Sequence, residues 1–328
     1  MYQFLDSVVL KSGEKVEAVV VVAPDEEWYA RLRKLLFHKG DLWRWQVEQL
    51  LTTPTSAQAF HYVLHRDGEP FSHILTAESD GVGLLGHVWT QPPDRSQGAA
   101  SQLMRLQMQD FGRRGGRALY LSTTFDSSAF HIYRKQGFRG VEPQSGVMDF
   151  FSSSRAEFES EYFASGETEI VPLDWSHWAS GSALFAGDWP GVVRNAAFGL
   201  VGRYLTEGAL LPAIREQNDE AASALVLQKK ENGAVVGLAG WKRDATWPET
   251  IVADVYAHPN FWHQAGELLA RLEVPPARRV VAYVETDFAA KRKVLESADF
   301  KALATLPQWL AADVAETKYL DVVMMEKS

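Results

Sequence analysis

The sequence predicts an α+β protein of two similar domains, each a mainly antiparallel sheet flanked by helices. Three observations carry this. Strand-like runs joined by short turns alternate with amphipathic helical stretches. The order of elements in residues 1–158 recurs in residues 166–328. Of the 328 residues, 46% are hydrophobic and none is cysteine, so two apolar cores, not disulfides or thiolate metal sites, must hold the chain together.

The elements come in order. "VEAVVVVAP", residues 17–24, is a short β-branched run ended by proline and reads as a buried strand. "DEEWYARLRKLLFHKGDLWRWQVEQLL" repeats apolar Trp28, Leu32, Leu35 and Leu36 at helical spacing, with Asp25 placed to cap the start. "AFHYVLHRDGEPFSHILTAES" is a hairpin turning at Asp67-Gly68, since glycine accepts positive φ. A turn at Ser79-Asp80-Gly81 leads into a strand, Val82 to Thr90, which Pro92 and Pro93 end. Residues 98–112 are a helix, "RALYLSTT" a strand, "DSSAFHIYRKQGF" a short helix closed by Gly137, and "GVMDFF" a final strand.

The second half repeats this order. A strand at 167–173 precedes helical segments over much of 175–222. A hairpin turns at Asn232-Gly233, a strand ends at Pro259, and then come helix, strand, helix and a last strand, "KYLDVVMME". An offset of 167 matches Val88 with Val255, Pro92 with Pro259 and Gln97 with Gln264. The matched order is the stronger sign of internal duplication. The boundary is expected in the polar, small-residue stretch 152–167.

Composition narrows the function. The net charge is −9 and no basic stripe with interleaved aromatics occurs, so nucleic acid is not an expected partner. No apolar run reaches membrane-span length, and the start lacks the basic and small-residue features of a signal peptide. A cytoplasmic protein without membrane contact is expected. His177, His258 and His263 match no helical ligand pair, so no metal is expected. Trp175, Trp178, Trp189, Trp241, Trp247 and Trp262 suit core and interface positions or a substrate cage.

Two glycine motifs stand back to back in "GVGLLGHVWTQPPDRSQGAASQL". The first, Gly81-Val-Gly83-Leu-Leu-Gly86, fits G-x-G-x-x-G, but the next residues, "HVWTQPP", are β-rich and then broken by proline. A dinucleotide fingerprint needs a helix to open there. These glycines instead suit a turn and a close backbone approach. The second, Arg95-Ser-Gln-Gly98-Ala-Ala100, comes after a strand and opens a helix. A helix N-terminus binds anions through free N–H groups, and small side chains let a pyrophosphate reach them.

"VWTQPPDRSQGAASQLM" together with the later "AFHIYRKQGF" resembles the acetyl-CoA-binding core of the GNAT superfamily of N-acyltransferases. Arg95, Gly98, Ala100, Ala129, Tyr133, Gly137 and Phe138 fall on its marked positions, and Asp126 stands where the family usually has asparagine. The resemblance implies tandem three-layer αβα-like domains, each on a twisted mixed sheet, and acetyl-CoA as acyl donor. It implies that residues Arg95, Ser96, Gln97, Gly98, Ala99 and Ala100 cradle the pyrophosphate. Val88, Trp89 and Thr90 would pair with the pantetheine arm, and Asp126 and Tyr133 would complete the cofactor site. Tyr133 is the implied acid for the departing thiolate. The base is not evident. His87 on the strand is one candidate, because its ordinary pKa suits the task, and Glu78 and Asp80 in the turn are others.

In the second half Trp262 stands at the position of Arg95, Ala265 at Gly98 and Glu267 at Ala100. Leu295 replaces Tyr133. A carboxylate at a helix start repels a pyrophosphate and takes up its donors, so this half is expected to be degenerate and to serve as structural support. The expected activity is acetyl transfer to a small or peptide amine by direct attack on the thioester. The alternative is a catalytically silent acyl-CoA sensor or scaffold. Monomer and homodimer both remain open.

Overall fold

The computed structural model describes residues 2–216 and 221–328. Met1, and residues 217–220 of the stretch expected to be largely helical, lie outside the described residues. The chain divides into two units, Met1–Arg139 with Met148–Ser153 and Gly140–Val147 with Ser154–Ser328.

The first part of the chain runs β1 (Tyr2–Val9), β2 (Lys15–Val22), α1 (Glu26–Leu35), α2 (Asp41–Thr52), β3 (Gln58–Arg66), β4 (Glu69–Ser79), β5 (Val82–Thr90), α3 (Ala99–Arg113), β6 (Ala118–Ser122), α4 (Ser128–Lys135), β7 (Arg139–Gly140) and β8 (Val147–Phe151). The strands form one mixed sheet in the order β1-β2-β3-β4-β5-β6-β8-β7. Alternation along β2 explains the layers. Ala18 and Val20 share a core with Leu103, Met104 and Phe111 of α3 and Phe130 of α4. Val19 and Val21 share another with Trp28 and Leu32 of α1 and Val47 and Leu51 of α2. Asp25 caps α1 as expected, accepting from the Trp28 N–H at 3.1 Å. The turn joining β3 to β4 has Asp67 at φ +49° and Gly68 at φ +84°, the type I′ signs that match strand twist.

Two features of β5 position the site. It pairs antiparallel with β4 and parallel with β6, but the parallel pairing ends at Leu84↔Tyr120 although β5 runs on to Thr90. Against β4, the register passes from Leu75↔Gly86 to His73↔Trp89. His87 and Val88 therefore face the single residue Ile74, which is a β-bulge. His87 carries it at φ +52°.

The second part runs α5 (Arg155–Tyr162), β9 (Thr168–Pro172), α6 (Trp175–Ser180), α7 (Ser182–Ala186), β10 (Val193–Asn195), β11 (Leu200–Val201), α8 (Thr206–Glu216), β12 (Ala222–Lys229), β13 (Val235–Arg243), β14 (Thr250–Ala257), α9 (Ala265–Ala270), β15 (Arg279–Glu285), α10 (Ala289–Ser297), β16 (Phe300–Ala311) and β17 (Tyr319–Lys327). Its large sheet has the order β16-β17-β15-β14-β13-β12-β9. The pair β14 with β15 is parallel, as β5 with β6 is in the first sheet, and its pairing ends at Val252↔Val281.

The structure corrects the expected elements in three places. The boundary stretch 152–167 contains a helix not expected there: Ser154 accepts from the Glu157 N–H and starts α5. The segment 175–222 is not simply helical, because β10 and β11 form a ribbon inside it. Strands β1 and β16 are additions to the expected set. Both are exposed edge strands with little inward-facing apolar pattern to betray them. Among the described residues no helix is long and apolar enough to cross a membrane.

Candidate functional site

The loop between β5 and α3 ends at Gly98, the N-cap of α3, at φ +84° and with no side chain capping the helix. Only glycine takes that conformation without strain. A Cβ there would meet nothing nearer than Gln102 Nε2 at 3.9 Å. The first-turn N–H groups of a helix lack intrahelical partners, and the residues that carry them here, Ala99, Ala100 and Ser101, have small side chains. The loop is fixed from the side: the Lys11 N–H donates to the Gln97 carbonyl at 3.1 Å, and Gln102 Nε2 donates to the Val9 carbonyl at 2.8 Å. Arg95 Nε donates to the Thr90 carbonyl at 3.1 Å and its guanidinium lies 4.5 Å from the Trp89 ring centre. His38 stacks on Trp89 at 3.7 Å. Ser96 is exposed, at φ +64°, while Val88, Trp89 and Thr90 are half-buried. The residues expected to cradle a pyrophosphate thus form one anion-receptive corner at the end of β5, next to the place where β5 and β6 part. They fit the group.

The first glycine motif is structural. A side chain at Gly83 would run into the Ala77 carbonyl oxygen of β4, and Gly81 sits in the turn before β5. Tyr133 is 6% exposed, in the core shared by α3 and α4, its ring 6.2 Å from and edge-on to Phe138. Asp126 does not cap α4. Ser127 does, accepting from the Phe130 N–H at 3.2 Å, while Asp126 lies 3.2 Å from His131 Nε2.

The candidate bases separate. Glu78 is buried and gripped by both terminal nitrogens of Arg114 at 2.8 and 2.9 Å. Burial still holds its carboxyl above the ordinary value. Arg114 caps the far end of α3, whose fifteen residues span about 22 Å, so Glu78 is away from Gly98. Asp80 faces Arg117 at 3.5 Å near that same end. His87 lies instead at the bulge of β5. Its ring is buried, edge-on to Trp43 at 5.6 Å, and its Nε2 lies 2.8 Å from Gln46 Oε1 on α2. Its Nδ1 has no hydrogen-bond partner among the described residues. Burial, with Lys39 and two other histidines nearby, holds its pKa well below 6.5.

Three residues of this cluster escape a reading of the sequence. His61 and His73 on β3 and β4 are fully buried and joined Nδ1 to Nε2 at 3.0 Å, and His73 Nδ1 lies 3.1 Å from the His87 carbonyl oxygen. Gln46, also fully buried, is the third. The available signal was polar rings standing in apolar strand rows: His61 alternates with Ala59 and Val63, and His73 with Leu75. A cavity of about 560 Å³ beside Tyr2, Trp28, Arg31 and His65 holds none of the expected site residues.

In the second unit, Glu267 does not take up helix donors as expected. It pairs with Arg271 at 2.6 Å. Trp262 packs edge-on to Tyr256 and Phe288, and Leu295 is fully buried. Beyond the end of the β14–β15 pairing, Glu285 accepts from the N–H groups of Val192 and Val193 at 2.5 and 3.2 Å. Lys291 donates to the Val193 carbonyl at 2.8 Å and pairs with Asp254 at 2.7 Å, both side chains fully buried. Asp254 also accepts from the Ala196 N–H at 2.7 Å. Three ionisable groups thus pin residues 192–196 across the place where β14 and β15 part. His177 closes a capping box with Asp174, and His258 stacks on Phe163 at 4.4 Å.

Residues 25–138 match the model of the acetyltransferase (GNAT) family. Comparison with curated proteins gave no match. Among solved structures, yncA of Salmonella typhimurium, determined with its cofactor acetyl-CoA, is 24% identical with a TM-score of 0.39, covering 48% of this chain and 92% of its own. An N-acetyltransferase from Staphylococcus aureus Mu50 is 19% identical with a TM-score of 0.38, covering 49% and 98%. The ribosomal-protein-S5-alanine acetyltransferase of Vibrio fischeri is 14% identical with a TM-score of 0.34, covering 50% and 94%. Residues 25–138 are thus similar to the acetyltransferase (GNAT) family.

Proposed function

We propose that this protein is an N-acetyltransferase that moves an acetyl group from acetyl-CoA to an amine. The observation that carries the reading is the uncapped helix start at Gly98 beside a strand that bulges and then leaves its parallel neighbour. Bound acetyl-CoA would supply an acyl group on a thiolate leaving group, open to direct attack by the amine. The chain supplies the rest. The N–H groups of Ala99, Ala100 and Ser101, with Arg95, hold the pyrophosphate. Ser96 and Gln97 shape the loop, and Val88, Trp89 and Thr90 run beside the pantetheine arm. Backbone donors at the bulge hold the thioester carbonyl oxygen. Tyr133 gives a proton to the departing sulfur, and Asp126 lies at the rim. The bare Nδ1 of His87 is the proton acceptor at the bulge. Much of the rate comes from positioning.

The second unit, residues 166–328, is a GNAT-like domain without a cofactor site, because its own segment 192–196 lies where the arm would run. Residues 1–158 form the working domain. The test is release of free CoA thiol from acetyl-CoA over a panel of amines. Amine-dependent release, lost in Arg95→Glu, is expected. Binding without release for any amine would make the protein an acyl-CoA sensor instead.

A further inference from the structure

The bulge in β5 is held by side chains from three other elements, and the chain of contacts has one direction. A carbonyl oxygen only accepts, so His73 Nδ1 donates to the His87 carbonyl. The neutral His73 ring then accepts at Nε2, so His61 donates from Nδ1. Burial keeps the pair neutral: His73 is pushed down to about 4 and His61 well below 6.5, with Lys39 adding to the push on His73. Gln46 fixes the His87 ring from α2. A non-glycine residue at φ +52° persists only when its surroundings over-determine it, and here they do.

The consequence lies in the next peptide group. In a trans peptide, the carbonyl of residue 87 and the N–H of Val88 point in opposite directions. His73 is on β4, and β4 and β6 flank β5 on opposite sides. Drawing the His87 carbonyl toward His73 turns the Val88 N–H away from β4, toward the side where β5 and β6 part. We propose that His73, backed by His61, is a positioning residue: it grips the His87 carbonyl and so aims the Val88 N–H at the acetyl carbonyl oxygen. This rests on acetyl-CoA being the donor held in that splay.

CoA lacks the acetyl carbonyl, so comparing Kd for acetyl-CoA and for CoA isolates the contact. The full chain is titrated with each by calorimetry, as wild type, His73→Asn and His73→Gln. Asparagine places its amide nitrogen near the Nδ1 position and keeps the donor; glutamine places it near Nε2 and loses it. A neutral hydrogen bond is worth roughly fivefold in affinity. His73→Gln is expected to weaken acetyl-CoA about that much while Kd for CoA stays put, and His73→Asn to keep the wild-type ratio. Infrared spectra of acetyl-CoA labelled at the carbonyl carbon give a second readout. Its stretch is expected to lie below the aqueous value in wild type and His73→Asn, and to return toward it in His73→Gln. Equal changes in both Kd values, or an unchanged ratio in His73→Gln, overturn the proposal and leave the donor assignment standing. If wild type binds neither CoA nor acetyl-CoA, both fall.

Discussion

His73 is pushed down to about 4 and its two neighbours His61 and His87 well below 6.5, all by burial first. The unfolded chain restores ordinary values, so the folded unit binds fewer protons than the unfolded chain below pH 6.5. Stability from these neutral rings is full above pH 6.5 and is lost as pH falls toward 4. For His73 alone the loss is on the order of 3 kcal/mol. Urea midpoints of the first unit at pH 7.5, 5.5 and 4.5 should fall in that order, and the fall should be smaller in His73→Asn. A midpoint no lower at pH 4.5 than at 7.5 would contradict the burial of neutral rings. At this scale the sequence singles out the groups it announces by motif, Arg95 through Ala100, and His87 by its place on the strand. It did not reveal Gln46, His61 or His73. Their meeting depends on cross-strand register and on α2 lying over the sheet, and neither is written locally.

Among the elements, those with strong periodicity or turn chemistry were legible. The amphipathic α1, α2 and α3 and the hairpin at Asp67-Gly68 stand where their residues imply. Edge strands β1 and β16 were hidden because most of their residues are exposed, so the inward alternation that marks a strand is missing. The bulge in β5 was hidden for another reason: the chain does not state which residue of β4 faces two of β5. In the second unit the elements that part, β14 and β15, are bridged by Lys291, Asp254 and Glu285. Breaking one side of a buried pair leaves a charge unpaired and costs about 3–5 kcal/mol. Lys291→Met should therefore lower the melting temperature of the second unit sharply, while acetyl-CoA affinity of the folded protein at 10 °C stays at the wild-type value. An unchanged melting temperature would mean that the pair does not hold residues 192–196.

For the whole molecule, the sequence suggests a repeated order of elements, and each of the two large sheets contains a parallel pair, β5 with β6 and β14 with β15, beside antiparallel ones. What the sequence could not show is how the second unit closes its own splay. Glu267 suggested repulsion of a phosphate, whereas the chain itself lies in the slot, held from within. The first unit keeps the open corner at Gly98. On the proposed reading only the first unit holds acetyl-CoA, and that reading sets the stoichiometry of binding. Calorimetric titration of acetyl-CoA into the full chain tests it most directly. One site per chain is predicted, abolished by Ala100→Glu, which sets a carboxylate among the helix N–H groups. Two sites per chain, or one site indifferent to Ala100→Glu, would contradict it.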